Sequence, residues 1–269
     1  MTGIVGGHGA WRPYAGHNRR GLWALYRKEV TRFFKVGMQT VLAPLVTTLL
    51  FLAVFTLALG GADRSVGGVP YVQFLAPGLV MMAIVQNGFA NTSSSLVNAK
   101  VQGNVVDLLM PPLSPAVLTA GFALGGMTRG LVVGLAVGLA MALFVELPLA
   151  DPFAVLFHAA AGSLMLALVG ILAGLWCEKY DHISAFTNFL VTPLAFLSGT
   201  FYSVERLPAE WVFVAHINPF FYMIDGFRAG FIGHADGSLT IGYIVLTAAN
   251  LGLWAACHHL FRTGYKLKP

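Results

Sequence analysis

Charged residues are scarce in this chain of 269 residues. Only 10% of the residues are Asp, Glu, Lys or Arg, whereas 57% are apolar. An ordinary soluble domain carries about 25% charged residues, so a soluble fold of this size would lack the charge to cover its surface. The composition therefore predicts an integral membrane protein, since each helical crossing needs about 20 mostly apolar residues.

Cysteine is scarce as well, and the usual motifs of catalysis are missing. Cys177 and Cys257 lie near the ends of apolar runs, and we interpret both as packing residues. The eight histidines are scattered, and no G-x-x-x-x-G-K-[ST] phosphate loop occurs. These absences argue against a metal site, a bound cofactor, ATP hydrolysis or nucleophilic catalysis in this chain, and we expect it to contain no catalytic residue.

Long apolar runs divide the rest of the chain. The predicted fold is an all-α integral membrane protein whose transmembrane domain covers 37–261. Its six transmembrane helices are predicted at 37–60, 71–96, 116–144, 153–176, 183–201 and 239–261.

The segments around these crossings have distinct characters. Residues 1–19 predict a mobile tail. Residues 20–36 predict an amphipathic interfacial helix, in which apolar residues such as Trp23, Phe33 and Phe34 recur at helical spacing while charged residues, Glu29 among them, form the solvated side. A nucleic-acid-binding helix is disfavoured because its aromatic residues would be exposed without reason. Residues 202–238 hold two short apolar stretches separated by Asn218-Pro219, which predicts a re-entrant helical hairpin between spans five and six.

The distribution of basic residues gives the orientation. Twelve of the sixteen Lys and Arg residues lie in four segments on one predicted side, and three lie on the other. Basic residues accumulate on the cytoplasmic side of membrane proteins, so both termini are predicted to be cytoplasmic. The four cytoplasmic segments are the amino-terminal 1–36, the loop 97–115, the turn 177–182 and the tail 262–269.

Arg129 is the only charged residue inside a predicted span. Such a residue usually faces a bundle interior, a water-filled cavity or a partner, and an anionic group on a cargo would also suit it. Alternatively, the span starts late and Arg129 extends toward the interface. Gly126 and Gly130 belong to a four-residue repeat that predicts close helix packing, within one bundle or between subunits. The residues assigned to a translocation path or to packing are Arg129, Asn87, Asn91 and Asn188.

Two stretches point to a family. Residues 193–231, PLAFLSGTFYSVERLPAEWVFVAHINPFFYMIDGFRAGF, closely resemble the carboxy-terminal signature of ABC-2 type transporter permeases. Residues 108–131, LLMPPLSPAVLTAGFALGGMTRGL, are similar to the family's segment leading into its third span, and the resemblance covers about 20–261. The chain departs from the family at Ala116 and Phe122, near which the family often has a basic residue.

The resemblance implies the membrane subunit of an exporter in the cell inner membrane. Such permeases pair, with a second copy or a related chain, and bind separate ATPase subunits that hold ATP and Mg. Their cargoes are drugs, polysaccharides or lipid-linked molecules, and their re-entrant hairpin is periplasmic. The implied ATPase-coupling residues are Gln102, Gly103, Asn104, Val105, Val106, Asp107, Leu108, Leu109 and Met110, with secondary contacts from Glu178, Lys179 and Asp181.

The implied re-entrant region carries an acidic and a basic residue close together in the chain. Asp225 and Arg228 lie three residues apart and are expected to pair. A secondary transporter driven by an ion gradient would need Asp, Glu or Lys within a span, and a membrane-embedded enzyme would need a convergent polar cluster. Neither feature is present in the sequence. The residues assigned to the re-entrant region are Asn218, Pro219, Tyr222, Asp225 and Arg228.

Overall fold

The computed structural model describes residues 18–58, 65–66, 68–105, 110–111 and 113–267. The predicted mobile tail lies outside these ranges except for its last two residues, and so do Val106, Asp107, Leu108 and Leu109 of the predicted coupling loop. The described residues are almost entirely helical. One antiparallel hairpin is present, formed by β1 (Ser65–Val66) and β2 (Val69–Pro70).

Ten α-helices are assigned in the described ranges. In chain order they are α1 (Arg19–Lys35), α2 (Gly37–Ala58), α3 (Tyr71–Val101), α4 (Pro115–Met141), α5 (Pro152–Trp176), α6 (Tyr180–Phe186), α7 (Thr192–Leu197), α8 (Ala209–Ile217), α9 (Pro219–Ile232) and α10 (Leu239–Thr263).

Five of these helices are long and apolar enough to cross a bilayer, namely α2, α3, α4, α5 and α10. This confirms a multi-pass, all-α membrane protein. In the most apolar stretch of α3, 83% of the residues are buried, against 11% in both α2 and α10. Helix α3 is therefore the centre of the bundle, and α2 and α10 form its exposed edges.

The fifth predicted crossing, 183–201, is not one regular α-helix. Helix α6 leads into a π-helical turn at Thr187–Val191, and α7 follows directly. Pro193 explains the irregularity, because proline has no N–H to donate to the carbonyl of Phe189 and its ring clashes with that carbonyl. The structure thus contains a helical segment where a sixth crossing was expected, and its passage through the membrane stays a prediction.

The glycine repeat lies inside the bundle. A Cβ atom added to Gly126 would lie 2.7 Å from Thr92 of α3 and 2.8 Å from Ala167 of α5. One added to Gly130 would lie 2.7 Å from the Ile84 carbonyl oxygen. The absence of these side chains lets α4 approach α3 and α5 closely, so packing within one bundle is confirmed for these glycines.

The predicted interfacial helix, α1, buries Phe33 of the predicted apolar side but also one of its charged residues. Its buried residues are Leu25, Glu29 and Phe33, whereas Trp23 is 62% exposed and Phe34 is 57% exposed. The placement of Glu29 on the solvated side was therefore wrong. The buried residues of α1 are spaced four apart and therefore lie on one face of the helix. This face packs against α4, where Leu25 contacts Gly121 and Glu29 contacts Gly125.

Candidate functional site

A polar cavity of about 500 Å³ lies between the last third of α3 and the segment that joins α6 to α7. Hydroxyl and amide side chains dominate its polar lining. It brings together Asn87 and Asn188, which are 101 positions apart in the chain, but Asn91 does not line it. The polar residues that line the cavity include Gln86, Asn87, Ser93, Ser94, Thr187 and Asn188.

Asn87 connects this cavity to Arg129. The Arg129 Nη2 donates a 3.2 Å hydrogen bond to the Asn87 Oδ1, while the Asn87 Nδ2 donates to the Ala83 carbonyl oxygen at 3.0 Å. Arg129 therefore meets the polar part of α3, as one of the two interpretations of the sequence required. Its Nε is buried and has no acceptor among the described residues.

A second polar cluster ties α1 to α3. Glu29 is fully buried, and its Oε1 accepts a hydrogen bond from Ser95 at 2.8 Å. Its Oε2 pairs with the Arg32 Nη2 at 3.0 Å. Arg32 in turn donates to the carbonyl oxygen and to the Oδ1 of Asn91, at 2.6 and 3.0 Å. Asn91, assigned to a translocation path or to packing, thus helps to anchor α1 to α3.

Lys100 joins the carboxyl ends of α3 and α5. Its Nζ donates to the carbonyl oxygens of Leu175 and of Cys177, the latter at 3.1 Å. A cation at the carboxyl end of a helix satisfies carbonyls that lack an intrahelical partner and interacts favourably with the helix dipole. The predicted coupling loop begins just after Lys100, so its start lies beside the turn at 177–182, which is predicted to contact the same partner.

The carboxyl-terminal segment reaches the same place. Lys266 donates to the Trp176 carbonyl oxygen at 3.2 Å and to the Glu178 Oε1 at 3.4 Å. Cys177 is enclosed here, and burial raises the pKa of its thiol although Lys100 and Lys266 oppose that shift. This thiol is therefore a neutral packing group.

The described residues of the predicted docking surface face outward. Met110 is 75% exposed. Other members, from the loop after α3 and from the turn at 177–182, are exposed as well. Val105 is half-buried, and residues 106–109 lie outside the described ranges. The exposed members are Gln102, Gly103, Asn104, Glu178, Lys179 and Asp181.

At the opposite end, Asn218 shapes the break between α8 and α9. Its Oδ1 accepts from the Phe220 N–H at 3.1 Å, and its Nδ2 donates to the Ser198 Oγ at 2.8 Å. Pro219 then begins α9, where its missing N–H costs nothing. The two helices meet where the sequence predicted a break, and Tyr222 is buried within α9.

Asp225 and Arg228 do not form the ion pair expected from their spacing. No ion pair links them among the described residues, because each binds backbone groups instead. Asp225 accepts from the backbone N–H groups of Asp236 and Gly237, both at 2.9 Å. Arg228, 2% exposed, lies over the Phe74 ring and donates to the Phe74 carbonyl oxygen at 3.0 Å.

Arg228 also holds the connection after α7. Its Nη2 donates to the carbonyl oxygens of Gly199 and Thr200, at 2.7 and 3.3 Å. Sequence reasoning placed Arg228 in the outer region but could not identify these acceptors, since backbone carbonyls leave no trace in residue identity. Arg228 therefore anchors α9 to α3 and to the turn at 199–200.

Beneath α8 lies an apolar cavity of about 700 Å³. Its walls come from α7, the following turn and α8, and they are almost entirely hydrocarbon. Lining residues include Leu194, Leu197, Tyr202, Trp211, Val214 and Ile217. Such a cavity can accept apolar matter but offers few hydrogen-bonding groups.

Comparisons with known proteins agree with this architecture. The ABC-2 type transporter family matches residues 20–232. Inner membrane transport permease YadH of Escherichia coli (strain K12) is 35% identical over 247 residues, which cover 92% of this chain and 96% of that protein. Nodulation protein J of Rhizobium meliloti (strain 1021) is 24% identical over 83% of this chain and 87% of its own length. The chain therefore belongs to the ABC-2 type transporter family.

Proposed function

We propose that this chain is the permease subunit of an ATP-binding cassette exporter, in which two permeases surround a translocation path and separate ATPase subunits supply the energy. The polar cavity between α3 and the α6–α7 segment is the observation that carries this proposal. Its amides and hydroxyls lie along a membrane-spanning helix, where polar groups belong against protein or water rather than lipid.

One chain supplies only part of such a path. Asn188 is exposed beside the cavity, and the neighbouring Phe189 is 82% exposed. A second copy, or a related permease, placed against this side would cover both the polar and the apolar surface. The permeases would then enclose a continuous polar route between them.

The segment from α6 to α7 is proposed as the sixth crossing. Its run of helical residues is roughly 27 Å long at 1.5 Å per residue, which is close to the thickness of the hydrocarbon core. The hairpin of α8 and α9 would then dip into the outer face without crossing. Both termini would be cytoplasmic in the inner membrane, since basic residues concentrate on that side.

ATPase subunits are proposed to bind the inner surface formed by the coupling loop and residues 178–181. Lys100 holds the two segments together through its bonds to Leu175 and Cys177. The apolar side chains of the loop, including Leu108 and Leu109, suit burial against a protein. ATP and Mg would be bound by the ATPase, and this chain would carry no cofactor of its own.

Helix α3 provides a mechanical link between the two sites. It carries the cavity residues Asn87 and Ser93, and the coupling loop follows its last turn. The part of α3 that follows its internal Pro77 is about 36 Å long at 1.5 Å per residue and carries both the cavity residues and the start of the loop. Closure of the ATPase dimer would therefore displace the cavity wall, and alternation between inward and outward access would export the cargo.

The cargo is proposed to be a drug, a lipid-linked molecule or a polysaccharide-type molecule. The mixed lining of the polar cavity, with Phe89 and Val191 beside the amides and hydroxyls, suits a molecule that has both polar and apolar parts.

Affinity purification of the tagged protein from its native membrane tests this function. An ATP-binding cassette ATPase should co-purify, and the double variant Leu108→Asp with Leu109→Asp should lose it. Leu149→Asp, an exposed apolar position in the loop after α4, is the matched control and should retain the ATPase. Failure to recover any ATPase, together with transport that persists when ATPase activity is abolished, would refute the proposal.

A further inference from the structure

A small cavity of about 250 Å³ lies between α2 and α3. Most of its lining residues differ from those of the polar cavity. Asn87 and Gln86 line both cavities. The small cavity is open at the surface, since Ala43 and Thr47 on its α2 wall are exposed. Its walls are apolar toward one end and polar toward the other. They include Phe51, Leu79 and Met82, and the polar Thr47, Gln86 and Asn87.

Arg129 stands behind the polar end of this cavity with its charge uncompensated. Its one hydrogen bond to a described residue goes to the neutral Asn87 Oδ1. The charge that acts on it among the described residues is that of Arg32, which repels it. Glu29, the carboxylate of this region, is already bound by Arg32 and Ser95. The region therefore carries a net positive charge inside a membrane-spanning bundle, which is costly without an anion.

Asn91 presents a further unused donor in the same seam. Its side chain is fully buried, and because its Oδ1 accepts from Arg32, its Nδ2 must point the other way. That Nδ2 has no acceptor among the described residues. It would lie 3.7 Å from a Cβ atom on Gly125, which precedes Arg129 by one turn of α4. Two buried donors, the Arg129 Nε and the Asn91 Nδ2, thus face the junction of α3 and α4.

We propose that the cavity between α2 and α3, where Arg129 is hydrogen-bonded to the lining residue Asn87, binds an anionic amphiphile. The apolar wall accepts an acyl-type chain that enters from the bilayer, and Arg129 binds the phosphate-type head. A guanidinium matches the geometry of a phosphate through paired N–H donors. The Arg129 Nε, which has no acceptor among the described residues, supplies a free donor for the head. Binding needs neither ATP nor an ATPase, so this inference is independent of the proposed energy coupling.

Photolabelling of the purified full chain in lipid nanodiscs tests this site. The discs contain phosphatidylcholine with a small fraction of either phosphatidylglycerol or phosphatidylcholine, each carrying the same photoreactive group on its acyl chain. Phosphatidylglycerol should label residues 43–51 and 79–87 more strongly than the zwitterionic lipid does. Arg129→Gln should weaken this preferential labelling about tenfold, because it removes the charged donor that binds the phosphate-type head.

Matched variants separate the site from general surface charge and from misfolding. Arg27→Gln removes an exposed charge of α1 and should leave the labelling within about twofold of wild type. Arg129→Lys keeps the charge and should retain most of the preference. Ala43→Phe fills the cavity without touching Arg129 and should abolish labelling, whereas Ala53→Phe, exposed on the same helix but outside the cavity, should not.

Adding the ATPase and ATP then distinguishes two kinds of bound amphiphile, a transported molecule and a resident lipid. A transported amphiphile would leave the site during turnover and its labelling would fall, whereas a resident lipid would stay; either result supports the site. Equal labelling by the two lipids in the wild-type protein overturns the proposal. Unchanged labelling in both Arg129→Gln and Ala43→Phe also overturns it.

Discussion

Ser95 of α3 donates a 2.8 Å hydrogen bond to Glu29 of α1, although Glu29 has no exposed surface. Arg32 pairs with the other carboxylate oxygen. A buried carboxylate is tolerated only when its oxygens are bonded in this way. Helix α1 is therefore fastened to α3, the central helix, through a polar contact, and the two should move together.

Glu29→Gln tests this fastening. The amide still fits the site, but it no longer pairs with Arg32, so we expect the free energy of unfolding to fall by about 1–3 kcal/mol. Reversible unfolding in mixed micelles measures the change. Lys28→Gln, at the adjacent exposed position, should change it by less than about 0.5 kcal/mol. Equal stabilities of the two variants would contradict the structural role of Glu29.

Arg228→Lys tests the contacts by which Arg228 anchors α9 to α3 and to the turn at 199–200. Lysine cannot reach the carbonyls of Phe74, Gly199 and Thr200 together, and it lacks the planar group that lies over the Phe74 ring. We expect a loss of about 2 kcal/mol or more in the free energy of unfolding, because buried carbonyls lose their donor. Arg206→Lys alters an exposed arginine with one 3.5 Å bond to the Ser65 carbonyl oxygen and should be nearly neutral. A neutral Arg228→Lys would be inconsistent with the observed contacts.

The packing of α4 is tested by whether a glycine-to-alanine substitution raises or lowers the stability of the protein. In an unconstrained helix, glycine to alanine stabilises by roughly 0.5–1 kcal/mol. Gly130→Ala should instead destabilise by about 1–3 kcal/mol because the new methyl group presses on the Ile84 carbonyl. Gly252→Ala has nothing within 4 Å of its added carbon and should be neutral or stabilising. Thermal unfolding of both variants gives the comparison, and stabilisation by Gly130→Ala would show that α4 packs differently.

The reactivity of Cys177 follows from its burial. A thiol reacts as the thiolate, and a raised pKa makes that form rarer at neutral pH. Maleimide should therefore label native Cys177 at least about tenfold more slowly than a cysteine introduced by Lys179→Cys at an exposed position two residues later. As pH rises past about 8.5, the usual thiol pKa, the introduced cysteine should approach its maximum rate while Cys177 is still accelerating. Comparable rates at pH 7.5 would mean that Cys177 is accessible.

The sequence predicted the features that depend on local pattern. Apolar runs located the five long helices within a few residues, except that α3 continues five residues beyond the predicted span, to Val101. The Asn218-Pro219 pair located the break between α8 and α9, since Asn caps a helix and Pro favours its first position. The irregular π-helical turn before Pro193 was missed, although that proline was visible.

Features that depend on distant neighbours were not predictable from one sequence. Glu29 was assigned to the polar side of α1 because its partner Ser95 lies 66 positions away. Its only local signal was its place midway between Leu25 and Phe33, at the spacing of one helix face. The pairing of Asp225 with Arg228 failed for a related reason, because backbone groups of Asp236 and Phe74 compete for them and residue types do not reveal such acceptors.

ATP hydrolysis in reconstituted nanodiscs tests the central claim, that this permease is coupled to a separate ATPase through its inner surface. The rate is measured for the co-purified ATPase alone, with the wild-type permease, and with the Leu108→Asp, Leu109→Asp permease. We predict that the wild-type permease changes the rate and that the double variant returns it to that of the ATPase alone, while Leu149→Asp behaves as wild type. A rate that is the same with and without the permease would contradict the account.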